Sequence, residues 1–210
     1  MPAILSTFLY LALASGNFDL DTLSHNSLLY NGREYAKQYT VDMGNPFYPV
    51  QENRGDILYQ GNWYRDLMFY YDCEDHVVVI AHPLYGVRIQ LVPEKLDAFK
   101  LNGHSFLKVD IPGQGQSIHE LKYSGKRQLL VRWQKQLVKN MQEQSVYVLS
   151  KRLFVVEGST MTGITQLSDI YGLFPSEKKF LRQVYRDQRL SFRKDPVNAA
   201  YVLIKAAETR

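Results

Sequence analysis

Between Leu28 and Thr165 the chain is a series of short apolar runs, several alternating with polar residues, separated by x-Gly pairs; after Thr165 the apolar spacing lengthens to helical periodicity. The first regime predicts β-strands joined by tight turns and the second predicts helices. LYNGREY (Leu29 to Tyr35) and LYQGNWY (Leu58 to Tyr64) repeat the pattern Leu-Tyr-x-Gly-x-x-Tyr, and KLNGHSF, LKYSGKRQL and LFVVEGSTM each place an x-Gly pair between residues of strand character. Glycine takes positive φ without steric cost and Asn-Gly is the strongest two-residue hairpin signal, so hairpins are expected at Asn31-Gly32, Gln60-Gly61 and Asn102-Gly103. With Asn31-Gly32 at a tip, Tyr30 would face Arg33 and Leu28 would face Tyr35. With Gln60-Gly61 at a tip, Leu58 faces Trp63 and Ile57 faces Tyr64.

Val77, Val78, Val79 and Ile80 are consecutive and β-branched, which predicts a strand buried on both faces near the centre of a sheet. Further strands are expected over Val87 to Val92, Ala98 to Val109, Gln128 to Trp133 and Val146 to Val156, with one face of Gln128 to Trp133 more buried than the other. Two polar stretches, Asp110 to His119 and Lys135 to Gln144, are expected to interrupt them. Beyond Thr165, Ser168 to Phe174 predicts a short helix, Ser176 is expected to cap another through about Leu190, and Asp195-Pro196 reads as a cap followed by proline at the first helical position.

The fold expected is α+β: a predominantly antiparallel β-sheet built from hairpins (17–165), followed by a C-terminal helical segment (166–210) docked on the sheet. An integral outer-membrane barrel is disfavoured, because a helical C-terminus denies the closing strand such barrels need. The first residues refine this. Met1 to Asn17 carries no charged side chain, its apolar run extends through Leu13, and Ala12-Leu13-Ala14 precedes Ser15 and Gly16. That is the form of a secretory signal peptide over 1–16, although no Lys or Arg precedes the apolar run; a buried first element is the alternative. The run is too short for a comfortable transmembrane span, which needs about 20 apolar residues.

The strings LYNGREY, GDILYQGNWYRDLMFYYD, VRIQLVPEKLDAFKLNGHSF and FLRQVYRDQRLSFRKDP together resemble a set of uncharacterised secreted proteins of Gram-negative bacteria. The resemblance covers most of the chain. It implies export and a β-rich body with a helical tail, and it transfers no activity and no functional residue.

Composition narrows the picture further. The chain has 210 residues, of which 45% are hydrophobic and 13% aromatic, enough to bury a real core. Cys73 is the only cysteine, so stability rests on packing rather than on an internal disulfide. Ser176 to Arg210 holds nine basic and four acidic residues, a net of +5 against −1 for the rest of the chain. Export disfavours a nucleic-acid partner for that basic tail.

Candidate chemistry is sparse. Asp72, Glu74, Asp75 and His76, with His82 nearby, offer oxygen and imidazole donors, yet adjacent carboxylates at a strand connection are more often a solvated turn. Ser117-x-His119-Glu120 lies in a Gly-Gln stretch without a nucleophile elbow and reads as a flexible polar loop. Ser176-x-x-Lys179 lacks the companion motifs of penicillin-binding enzymes, and Gly113-x-Gly115 lacks a third glycine at phosphate-binding spacing. Two carboxylates beside Cys73 disfavour its thiolate. No catalytic, cofactor-binding or metal-ligating residue is assigned. The candidate binding surface is Trp63 and Tyr64 beside a hairpin tip, with the basic stripe Lys178, Arg182, Arg186 and Arg189, for which a solvated helix face is the commoner state.

Three functions are compatible with this pattern. The first is a non-enzymatic exported cell-envelope protein, periplasmic or beyond, with a binding or scaffold role toward an envelope protein or lipid. The second is a periplasmic carrier of a lipid or other apolar ligand, with Met68 to Tyr71 and Val77 to Ala81 lining a curved-sheet cavity. The third is a hydrolase of envelope polymers, which needs a cleft joining His82, His104 or His119 to a carboxylate.

Overall fold

A computed structural model describes residues 28–82, 85–111 and 115–210. The expected export segment, 1–16, and Gly113 lie outside them. The strands are β1 (Arg33–Glu34), β2 (Arg54–Tyr59), β3 (Asn62–Asp72), β4 (Val77–Ala81), β5 (Arg88–Gln90), β6 (Leu96–Leu101), β7 (His104–Ile111), β8 (Gly115–Ser124), β9 (Gln128–Lys139), β10 (Ser145–Glu157) and β11 (Thr160–Ile164). Helices α1 (Leu167–Leu173), α2 (Lys178–Asp187) and α3 (Pro196–Glu208) follow. The described strands form a single sheet in the order β1-β5-β4-β3-β2-β6-β7-β8-β9-β10-β11, with antiparallel pairing throughout. The protein is a sheet-rich α+β fold. No helix among the described residues is long and apolar enough to cross a membrane.

Two of the Gly pairs reverse the chain as their sequence predicts. At Gln60-Gly61 (φ +52° and +76°) and Asn102-Gly103 (φ +47° and +79°) both central residues are left-handed, the requirement of a type I′ turn. Leu58 pairs with Trp63 and Ile57 with Tyr64. The first copy of the repeat does not do this. Leu28–Tyr30 is a single turn of 3-10 helix, and Arg33 and Glu34 pair instead with Gln90 and Ile89 of β5. The role of Gly32 is close approach: a Cβ there would stand 2.1 Å from the carbonyl oxygen of Gln90. Gly32→Ala is expected to cost about 1–3 kcal/mol as the β1 ladder shifts to make room, read as a lower urea midpoint.

Other expectations are corrected by long-range pairing. Val77, Val78, Val79 and Ile80 are buried, at 6, 1, 0 and 3% exposure, but β4 lies third from the β1 edge rather than at the sheet centre. Its second face is covered by Tyr35, Phe47, Tyr39 and Tyr70. Only Arg88–Gln90 of the Val87 to Val92 run is strand. In β9, Leu129, Leu130 and Val131 are all buried, so neither face of that part is open. The polar stretches are partly strand: β8 begins at Gly115 and β9 runs through Lys139 before the chain turns over 140–144, because one neighbour, β7 for the start of β8 and β10 for the end of β9, supplies ladder hydrogen bonds whatever the side chains. Asp195 caps α3 as expected, accepting from the Asn198 amide at 3.1 Å. Ser176 does not cap α2; Glu177 occupies that position without a side-chain cap.

The sheet curls until distant strands meet. β3 and β9 are separated in the order by β2, β6, β7 and β8, yet the Lys135 amide donates to the Cys73 carbonyl at 3.1 Å. The segment before β2 lines the same junction: the Tyr48 amide donates to Tyr71 and the Cys73 amide to Pro46. Tyr59, Phe69, Tyr71, Phe99 and Phe106 fill the cluster inside the curl. The apolar runs of β3 and β4 face these partners, with Phe69 edge-on to Phe99 and Tyr71 against Phe99 and Phe106. Met68 points the other way and is exposed.

A second cluster joins Leu129, Val131, Leu153, Val155 and Ile164 to Ile170, Leu181, Leu203 and Ile204 of the helices. Trp133 packs against both clusters and marks their seam. Helix α3 is fixed at both ends. Asp195 caps its start, and Glu208 near its end accepts from the Lys126 amide (3.0 Å), the Arg127 amide (2.8 Å) and the Tyr123 hydroxyl (3.2 Å). The Glu208 contacts tie the end of α3 to the β8–β9 turn, while Val197 and Ala200 pack its start on the second cluster.

Candidate functional site

Strand pairing brings Phe106, Glu120 and Val131 into line across β7, β8 and β9, so His104, Glu120 and Trp133 share one face of the sheet. Glu120 is 1% exposed and His119 beside it is fully buried on the opposite face. The Ser117-x-His119-Glu120 motif is therefore strand, not a flexible loop. Both oxygens of the Glu120 carboxylate are committed. Oε1 meets His104 Nδ1 and Lys122 Nζ, each at 2.5 Å, and Oε2 accepts from Trp133 Nε1 at 2.7 Å and Tyr48 Oη at 3.5 Å. A carboxylate without water needs this many donors, because burying an unpaired charge costs several kcal/mol.

Above this carboxylate lies an open cleft of about 590 Å³. Tyr48, His104, Lys122, Trp133 and Lys151 form one wall, and Asp195, Val197, Asn198 and Tyr201 from the start of α3 form the other. Tyr48 meets His104, Phe106 and Trp133 edge-on, at ring separations of 5.5, 5.1 and 5.5 Å. Burial, and then the Glu120 carboxylate, push the Tyr48 phenol well up, which keeps it a donor. With His104 Nδ1 donating to Glu120, Nε2 is the ring nitrogen left to face a ligand. Lys151 lies across from Trp133 on β10, its ammonium 5.5 Å from the indole centroid. It forms no salt bridge with any described residue.

The acidic turn after β3 is organised differently from a metal site. Lys37 Nζ stands 2.9 Å from Asp72, 2.9 Å from Glu74 and 2.5 Å from Asp75, supplying the cation that three carboxylates call for. Asp72 is fully buried rather than solvated, and also accepts from Tyr35 Oη (2.7 Å) and from the amides of Glu74 (2.7 Å) and Asp75 (3.0 Å). His76 turns away, its Nδ1 3.0 Å from Tyr71 Oη and its Nε2 3.4 Å from Arg132. His82 packs between the Tyr30 and Tyr85 rings, at 5.3 and 4.5 Å. Among the described residues, no group of three or more His, Cys, Asp and Glu side chains is arranged to hold a metal ion. The Cys73 thiol is buried, and burial pushes its pKa well up.

The surface singled out from the sequence is divided between two elements. Trp63 is buried at 9% exposure, with the Arg65 guanidinium 4.6 Å and the Lys100 ammonium 5.8 Å from its ring; Tyr64 packs partly buried against the inner cluster. Lys178, Arg182 and Arg186 are exposed on α2, and Arg189 is exposed just past its end. Arg182 lies over the Tyr171 ring at 5.8 Å, and none of the four forms a salt bridge with a described residue.

His119 carries a separate consequence. Its Nε2 is buried without a hydrogen-bond partner, and its ring stands edge-on to Phe154. Burial, with Arg132 and His76 nearby, lowers its pKa from 6.5 to about 4. The unfolded chain therefore takes up this proton first, so the contribution is intact above the unfolded pKa and is lost as pH falls toward 4. Between pH 7.5 and 4.5 this one group is expected to remove about 2.5 kcal/mol of stability. Urea titrations at the two pH values should show that loss, and His119→Gln should shrink it; an undiminished loss in the variant would assign the acid sensitivity elsewhere.

Comparison with known proteins finds no matching family model, and no significant match among curated proteins or solved structures.

Proposed function

We propose that this chain is a non-enzymatic, exported protein of the cell envelope that binds a ligand in the cleft between the Trp133 strand and the start of α3. The observation that carries the binding reading is the floor of that cleft. Glu120 is a buried carboxylate matched by four donors, Tyr48, His104, Lys122 and Trp133, all of which also line the open space above it. Well-packed hydrophobic residues in place of the whole network would have served packing alone at least as well. A buried polar network that orients side chains toward a cleft is what preorganised recognition requires. Export is supported by the charge-free apolar start and by the resemblance to secreted proteins. Fractionation of native cells, followed by native mass spectrometry of the isolated protein, tests both parts. The expected result is protein in the periplasmic or external fraction carrying a small adduct. Full-length protein confined to the cytoplasm overturns export, and protein without an adduct speaks against a resident ligand.

One observation favours a second reading, hydrolysis of an envelope polymer. His104 pairs with Glu120 at the cleft, the joining of imidazole to carboxylate that a general base needs. Turnover of purified envelope polymer that vanishes in His104→Ala, with the fold intact, would establish it over simple binding.

A further inference from the structure

We propose that the cleft takes a saccharide, and that the ligand it prefers carries one carboxylate. This rests on the binding reading above and adds the chemical class. The lining is mixed, which suits a guest with both an apolar face and a polar rim: Val197 is the only aliphatic residue in it, beside three phenol or indole rings and five charged, amide or imidazole groups. A pyranose has a C–H face that packs on aromatic rings and a rim of hydroxyls that needs short, fixed donors and acceptors. Trp133 and Tyr201 stand on opposite walls to supply the rings, and His104, Lys122 and Asn198 supply the polar rim.

Charge then selects among saccharides. Lys122 is matched to Glu120, and Asp195 caps α3 through the Asn198 amide but keeps its negative charge on the opposite wall, which leaves the Lys151 side as the place for an anionic group. Lys151 remains. It is exposed, held over the Trp133 ring, and without an acidic partner among the described residues. A ligand stacked near Trp133 would bring a carboxylate within reach of that ammonium, at little desolvation cost because the lysine is already at the surface.

Cellobiouronic acid and cellobiose differ by one carboxylate and make the test direct. Each is titrated into the full-length, isotope-labelled protein at low salt and followed by amide and indole chemical shifts. Both are expected to move the Trp133 indole signal, with the acid binding about three- to fivefold tighter, the advantage of one exposed ion pair. In Lys151→Met, which keeps the stem and removes the charge, the neutral disaccharide should bind as before and the advantage of the acid should vanish. Equal affinities in the wild type, a preference that survives Lys151→Met, or no shift at the cleft with either sugar would overturn the assignment. Should native mass spectrometry of the envelope-derived protein show an adduct that is not a saccharide, the class is wrong while the binding reading stands.

Discussion

Asp72→Ala is expected to lower the free energy of unfolding by about 3–5 kcal/mol, the range for breaking a buried ion pair by deleting one partner. The effect is large because four groups lose an acceptor together. Tyr35 Oη is left buried, Lys37 loses the fully buried member of its three carboxylates, and the Glu74 and Asp75 amides lose the oxygen that shapes the β3–β4 turn. The turn also holds Cys73, whose carbonyl accepts from Lys135 where the curled sheet meets itself. Asp72→Asn retains an acceptor for the two amides but meets Lys37 and Tyr35 with a donor or an uncharged oxygen, so its loss should fall between wild type and alanine. Urea midpoints with unchanged slopes would report this order. Equal, small losses for both variants would show that the junction does not depend on the carboxylate.

Glu120→Leu carries the second large effect, about 3 kcal/mol, at the low end of the same range because Lys122 and His104 keep 25% and 36% side-chain exposure and can turn to water. Trp133 Nε1 and Tyr48 Oη have less freedom. The more telling consequence is at the cleft, since the same substitution releases four side chains that line it, Tyr48, His104, Lys122 and Trp133, from the carboxylate. Glu120→Gln retains the shape and two acceptor lone pairs, so it should fold better than Leu while still loosening the wall. A Gln variant as loose in the cleft as Leu, with wild-type stability, would separate the network's role in recognition from its role in folding.

The legible parts of the fold are those fixed by nearest neighbours. Gln60-Gly61 and Asn102-Gly103 turn where they were expected because positive φ at two successive residues is a local demand, and Asp195-Pro196 starts a helix for a local reason as well. Asn31-Gly32 carries the same signal and answers a different demand, the approach of β1 to the Gln90 carbonyl, set by a strand more than fifty residues away. The polar runs of β8 and β9 read as loops because their strand character comes from the neighbouring ladders.

The site was hidden for a related reason. His104, His119 and Glu120 are all visible in the sequence, but a buried acid and an exposed one look alike until strand parity is known. The available clue was Trp133, on the more apolar face of an alternating strand, whose indole N–H requires an acceptor; Glu120 lies within one hairpin of it. Lys151 and the residues of α3 reach the cleft through packing of the helices on the second cluster, which no spacing encodes.

On the proposal made above, the seam between the curled sheet and α3 is where this protein meets its ligand. The most direct test is the amide correlation spectrum of the labelled protein titrated with a low-mass extract of its native envelope. The perturbed signals should gather at Lys122, Trp133, Lys151, Asn198 and Tyr201. Perturbations confined to another surface, such as the Lys178, Arg182 and Arg186 face of α2, or a spectrum that does not change, would contradict it.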